Sequence, residues 1–247
     1  MIANQIQRDS EFKAIAANRS RTALIYGGIS AALLAALFFS FPAIDLMFSG
    51  LFYDSTVDPD SQTKRGFWLS HSESLKFVFW LVDVVARIVL VGALVITFYQ
   101  IWRRHALLLA SSIVTASLIL GPAITVNSIF KEHWDRARPR QIIDFGGDKK
   151  FSAAWVISNQ CKRNCSFTSG HAAAGFSFVV GHFVSRTPIW IWLGVISGLL
   201  IGLARIAVGA HFLSDVVFSF FVVYLVAALV TLVFNKVNNQ RNLRKYR

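Results

Sequence analysis

The chain has 247 residues, 55% of them apolar and only 15% charged, with a mean hydropathy of +0.53. An average soluble domain carries roughly 25% charged residues, so the composition excludes a water-soluble globular protein and implies an integral membrane protein. The formal net charge of +12 would suit a nucleic-acid binder, but the Lys and Arg residues flank apolar runs instead of lining one helix or sheet. Nucleic acid is therefore excluded as a partner, and the charge is assigned to membrane topology and an anionic ligand.

In chain order, residues 1–21 are a polar leader with Arg8, Lys13, Arg19 and Arg21. An uncharged apolar run over 23–41 has the length of one bilayer crossing and is ended by Pro42. Residues 43–74 form an acidic loop holding Asp45, Asp54, Asp58, Asp60 and Glu73 against Lys64 and Arg65, with an interfacial piece at Leu51, Phe52 and Tyr53. The second span, 75–102, contains Asp83 and Arg87 at i, i+4. That spacing favours a pair within the helix over a role lining a site.

After the basic turn Arg103-Arg104-His105, the third span covers 106–130 with a potential kink at Pro122. A polar loop runs over 131–170. Spans four, five and six are expected over 171–185, 189–204 and 212–234, the first two joined by a turn at Arg186. The reading is thus an all-α, six-span helical bundle over 22–235 with external loops 43–74, 131–170 and 205–211, closed by a basic tail, 236–247. His105 and His182 are expected to be structural or interfacial.

Orientation follows from counting. The leader, the Arg103 turn, the Arg186 turn and the tail hold four, two, one and five Lys or Arg, so their side, with both termini, is cytoplasmic by the positive-inside rule. Loop 131–170 then falls outside, yet it carries Lys131, Arg136, Arg138, Arg140, Lys149, Lys150, Lys162 and Arg163. An anionic ligand accounts for that exception. The same parity brings the end of span three, the start of span four and the turn between spans five and six to one external face.

Three clusters lie there. Lys131 and Arg138 are seven apart, and Pro139 fixes the chain after the Arg; two cations at this spacing can grip different oxygens of one phosphate. Ser169-Gly170-His171 opens span four, where free backbone N–H groups and the positive helix end favour an anion; alternatively, Ser169 is only an N-cap. Arg205, His211 and Asp215 form the third. If span six is already helical at His211, Asp215 lies on the same face, hydrogen-bonds the imidazole and fixes its tautomer.

The set Lys-x6-Arg-Pro, Ser-Gly-His and Arg-x5-His-x3-Asp resembles the type 2 phosphatidic acid phosphatase superfamily, which shares its core with vanadium-dependent haloperoxidases. Thr168 stands where proline is common in that family and Ala204 where serine is common. Residues 145–151 and 157–167, with Phe212 to Phe218 and Phe41 to Asp45, look similar to bacterial lipid A phosphatases, particularly the 4'-phosphatase branch. The resemblance implies an enzyme of the bacterial inner membrane with a periplasmic site. His211 would attack phosphorus to give a phosphohistidine, Asp215 would orient it, and His171 would protonate the leaving oxygen and then activate water. Lys131, Arg138, Arg205, Ser169 and the Gly170 N–H would hold the phosphoryl oxygens.

That scheme calls for no cofactor and no metal, and the neighbours Glu132, His133 and Asp135 do not share a helix face. The substrate is expected to be lipid A. The surplus cations of loop 131–170, Arg136 among them, would serve its other anionic groups, while Trp134, Phe145, Phe151 and Trp155 would cover its sugars. Competing readings are a lipid A 1-phosphatase, an undecaprenyl-diphosphate or phosphatidylglycerophosphate phosphatase, a lipid phosphotransferase and, outside enzymes, an anion transporter. Cys161 and Cys165 face the oxidising side by parity, and a turn would bring them within bridging range, so a disulfide is expected over two free thiols.

Overall fold

Five helices are long and apolar enough to cross a membrane in the computed structural model of the chain, which describes residues 14–56, 66–103, 108–185 and 187–245. They are α1 (Ala14–Ser40), α3 (Glu73–Arg103), α4 (Leu109–His133), α6 (Ile189–Ala207) and α7 (Leu213–Lys245). Two shorter helices, α2 (Ala43–Gly50) and α5 (Gly170–Val184), complete the bundle. Arg8, Lys13, Asp58, Asp60, Lys64, Arg65, Arg104, His105 and Arg186, named in the reading above, lie outside the described residues.

The architecture is all-helical, as the hydropathy pattern implied, with two differences. The expected fourth span is α5, which at about 1.5 Å per residue reaches only about 22 Å against a hydrocarbon core of about 30 Å; a full sixth crossing is therefore not confirmed. The basic tail is not a separate segment either, because α7 continues unbroken to Lys245.

Helix α7 is the axis of the fold. It packs against α1, α2, α4, α5 and α6, whereas α3 packs mainly on α4 and α5 and leaves Phe77, Trp80, Phe98 and Trp102 exposed. A helix that is apolar all round and unburied by protein is a lipid-facing helix. The opposite pattern holds the α5–α6 contact. Gly194 and Gly198 lie one turn apart on α6 facing α5, with Gly202 one turn further against Val216 of α7, and a Cβ at Gly198 would strike the Phe176 ring. Added at Gly175 of α5, it would sit 2.8 Å from the Gly198 backbone. Small residues let the two backbones approach closely, and that approach sets the height at which Arg205 ends α6.

Pro122 lies inside α4. It widens the helix into a π-wound stretch over Ile119–Phe130, since the missing proline N–H breaks the ordinary ladder. Side chains reinforce the widened turn: Asn127 Nδ2 donates to Pro122 O at 2.8 Å and Thr125 Oγ1 to Leu120 O at 2.6 Å. Beyond Phe130 the helix continues to His133, which puts Lys131 on its last turn. On the other side of the bundle, Arg19 Nη1 donates to the carbonyls of His182 and Ser185, tying the start of α1 to the end of α5.

The connection after α4 is a folded cap. Ala137, Ile142 and Phe145 pack with Phe67 and Phe212, and Trp134, Trp155, Phe167 and Phe218 form an edge-to-face aromatic cluster with Phe130. Cys161 and Cys165 form a disulfide with a Cα separation of 5.7 Å. The close α5–α6 contact predicts that Gly198→Ala lowers stability by about 1–3 kcal/mol through overpacking and that Gly198→Val prevents folding. Thermal unfolding in detergent and size-exclusion profiles are the measurements.

Candidate active site

Helix α6 stops because Gly209 adopts φ +66°, a value glycine reaches without strain. The Gly209 N–H bonds Ile206 O at 2.8 Å and the Ala210 N–H bonds Arg205 O at 3.0 Å, the paired bonds of a Schellman C-terminus. His211 follows, outside any helix, and α7 begins at Leu213. The premise that His211 and Asp215 share a helix face therefore fails. Asp215 instead caps the helix it belongs to: Oδ2 accepts the Phe212 N–H at 2.8 Å.

The carboxylate of Asp215 lies 3.6 Å from His211 Nδ1, beyond hydrogen-bond length. Nδ1 is 2.8 Å from the backbone carbonyl of Ser166. A carbonyl can only accept, so Nδ1 carries the proton and Nε2 bears the lone pair. The ring is fully buried, and Nε2 has no hydrogen-bond partner. Burial above all, then the charges of Arg138, Arg205 and Lys131, hold the His211 pKa well below the ordinary imidazole value, so the ring is neutral at pH 7. Asp215 acts through Ser166, whose Oγ donates to Oδ2 at 2.5 Å while its carbonyl holds the imidazole.

Asp215 is secured from the other side by Arg136. Nη1 donates to Asp215 Oδ1 at 2.7 Å and Nη2 to Asp45 Oδ2 at 2.8 Å, with all three side chains fully buried. The guanidinium lies 4.2 Å from the Phe212 ring centroid, and Nε donates to Ser152 O. Asp45 in turn accepts the Ser214 N–H and hydroxyl. The first turn of α7 thus receives two carboxylates where its free N–H groups and dipole favour them. The expectation that Arg136 serves the substrate is overturned, since it has no solvent contact. Of the four loop aromatics, Phe145 is buried and so does not serve a ligand, while Phe151 packs on Phe212, Trp134 and Trp155 pack on one another, and these three stay half-buried.

The remaining expected residues do converge. Ser169 caps α5, its Oγ accepting the Ala172 N–H, and its own N–H bonds Asp215 O at 3.2 Å, so the amino ends of α5 and α7 are joined. A Cβ on Gly170 would lie 3.2 Å from Lys131 Nζ and would strike the Asn127 side chain; glycine is what lets Lys131 reach the start of α5. Lys131 Nζ and Arg138 Nη2 both donate to the side-chain oxygen of Asn164, at 3.2 and 3.1 Å. Burial, then the neighbouring Arg140 charge, brings Arg138 down to a pKa of about 10, which leaves it protonated at neutral pH.

Helix α3 supplies a contribution that the sequence reading placed elsewhere. Asp83 makes no ion pair with Arg87 among the described residues; its carboxylate lies 3.5 Å from His171 Nε2. One turn earlier, Phe79 meets the His171 ring edge-on at 5.4 Å and carries the Arg205 guanidinium over its face at 4.4 Å. Arg205 Nε is buried without a partner. Three cations, a neutral imidazole with a free nitrogen and a second imidazole beside a carboxylate make a site suited to anion binding, nucleophilic attack and proton transfer.

Ser166, Asp45, Asn164 and Phe79 were not foreseen as site residues. Ser166 acts through a carbonyl that every residue type possesses, and Asp45 had only its place in the Phe41 to Asp45 stretch to recommend it.

The family profile described as the PAP2 superfamily matches residues 105–239. A lipid A 4'-phosphatase of Francisella tularensis subsp. novicida is 34% identical over 199 residues, covering 76% of this chain and 85% of that protein. One from Rhizobium leguminosarum is 34% identical over 223 residues, 85% and 95% of the two chains. A third, from Rhizobium etli, is 32% identical over 200 residues, 74% and 76%. No solved structure matches.

The buried triad predicts that Asp45→Ala, which leaves half of Arg136 uncompensated, lowers stability by about 3–5 kcal/mol. Asp45→Asn, which keeps the shape and one acceptor, costs less. Thermal unfolding of the detergent-purified variants gives the order.

Proposed function

This chain belongs to the PAP2 superfamily, and from that premise we propose that it removes the 4'-phosphate of lipid A through a phosphohistidine formed on His211. It is a membrane phosphatase acting on lipid phosphate monoesters. The observation that carries the mechanism is the state of His211: Nδ1 committed to the Ser166 carbonyl, Nε2 buried, unpartnered and free to attack.

Lys131, Arg138 and Arg205 hold the phosphoryl oxygens, with the Gly170 N–H and the Ser169 hydroxyl at the amino end of α5. Their charge is in place before the reaction, so little reorganisation accompanies the build-up of negative charge at phosphorus. His211 Nε2 attacks in line and becomes an imidazolium, whose Nδ1–H stays bonded to Ser166 while Asp215, 3.6 Å away, offsets the new charge. His171 gives a proton to the leaving sugar oxygen. Asp83 stabilises its protonated form. After departure of the alcohol, the neutral His171 takes a proton from water, which attacks phosphorus and releases inorganic phosphate and His211.

Support for lipid A comes from three relatives of that name over most of the chain and from exposed cations, Lys150, Lys162 and Arg163, on the cap around the site. Placement in the bacterial inner membrane, with the site facing the periplasm, rests on the positive-inside count and on the disulfide of the same loop. The charges sit at helix ends, whereas a transporter site is expected between broken helices at mid-membrane.

His211→Ala and His171→Ala are expected to lower kcat at least about a thousandfold with normal folding. Because burial depresses the His211 pKa, its neutral form persists below the ordinary imidazole value of about 6.5. In the substrate-free protein the ring should therefore stay neutral, with its proton on Nδ1, as pH falls through that value; a 15N-histidine NMR titration of His211 centred there would contradict the buried, neutral nucleophile. Expression in a Gram-negative host, followed by mass spectrometry of lipid A, tests the substrate. Loss of one phosphate from the non-reducing sugar is expected, and unchanged lipid A with phosphate released from undecaprenyl diphosphate would refute it.

A further inference from the structure

The short loop closed by Cys161–Cys165 lies against the last turn of α4 and the segment after it. The Cys165 N–H bonds Lys131 O at 3.2 Å and the Ser166 N–H bonds Arg136 O at 2.9 Å. Between the two cysteines, Asn164 adopts φ +51°, a left-handed conformation that asparagine tolerates better than most residues. That turn points its amide at the two cations separated by seven residues of sequence. Oδ1 accepts from Lys131 Nζ at 3.2 Å and from Arg138 Nη2 at 3.1 Å, and the Asn164 backbone carbonyl accepts from the same Nη2 at 2.8 Å. No other side chain among the described residues receives a hydrogen bond from both.

Two like charges in one partly desolvated site repel, and an oxygen shared between them relieves that repulsion without neutralising either. Asn164 engages Arg138 through Nη2, which leaves the Nε and Nη1 donors for phosphate oxygens. Lys131 likewise retains two of its three donors.

We propose that Asn164 is a positioning residue of the phosphate site, holding Lys131 and Arg138 at the separation phosphate requires, and that the Cys161–Cys165 bond acts on phosphate affinity by keeping Asn164 in place. This rests on the reading of those two cations as phosphate ligands. It goes beyond that reading by making the cap loop, and hence the redox state of its cysteines, part of the affinity for phosphate.

The probe is inorganic phosphate, with its dissociation constant measured by 31P line broadening on the purified full chain in detergent, so that the lipid turned over does not enter. Asn164→Gly keeps the backbone conformation and removes the amide; phosphate binding is expected to weaken about tenfold, the size of a lost charge-assisted bond. The Cys161→Ser, Cys165→Ser double variant should weaken it to a similar degree, and adding Asn164→Gly to that pair should weaken it little further, because both act through one group. KM should rise more than kcat falls. Asn164→Asp keeps the native shape and turns the shared acceptor into a carboxylate that pairs with both cations, so it is expected to weaken phosphate more than glycine does. Wild-type phosphate binding in Asn164→Gly or Asn164→Asp, or effects of the loop and the amide that multiply, overturns the proposal. Arg138→Gln separates the two levels: wild-type binding in that variant removes the phosphate site itself, and with it the function proposed above.

Discussion

Arg136 has no contact with solvent, and each of its terminal nitrogens is given to a different carboxylate, Asp45 before the cap and Asp215 in the first turn of α7. An arginine cannot shed its proton to escape burial, so the charge is tolerable only where both acids, the Ser152 carbonyl and the Phe212 ring converge on it. That requirement brings together α2, the cap and α7, which the sequence scatters from Asp45 to Asp215. It also fixes Asp215, and through Ser166 the orientation of His211. The nucleophile is thus held at the end of a chain of buried polar contacts, each satisfied by the next.

Two further devices place the rest of the site. Close approach at Gly194 and Gly198 sets α6 against α5, and Gly202 does the same against Val216 of α7. The lipid-facing helix α3 turns one short face inward, and Phe79 and Asp83 on it engage Arg205 and His171. A helix with almost no burial of its own therefore supplies the partner of the proposed general acid. The cap adds the third device, a covalently closed turn that carries Asn164 to Lys131 and Arg138.

Much of the site was legible in the sequence. Lys131, Arg138, Ser169, Gly170, His171, Arg205, His211 and Asp215 are residue types that bind phosphate or move protons, placed at the ends of apolar runs where charge is costly without a use. Parity across the membrane brought them to one face, and the structure does the same. The cysteine pair was legible too, because parity put its loop on the oxidising side and a turn brings a four-residue spacing within bridging range. Where the reading went wrong, it applied a local rule across a boundary. His211 and Asp215 were joined by helical spacing, but the helix begins two residues after His211. Asp83 was joined to Arg87 by the same spacing, but its partner is His171.

What the sequence by itself determined was composition against solvent: an all-helical membrane chain, the order and approximate ends of its long spans, and the set of residues with chemistry to perform. Those follow from hydropathy and residue type, which are properties of each position. Tertiary structure alone decided which groups pair. Ser166 holds His211 with a backbone carbonyl that no side-chain pattern announces, and Arg136 looks like a surface cation until Asp45 is brought to it across 91 residues. Buried ion pairs and main-chain hydrogen bonds depend on distances between elements, and those distances are set by how glycine faces, aromatic clusters and helix ends pack together.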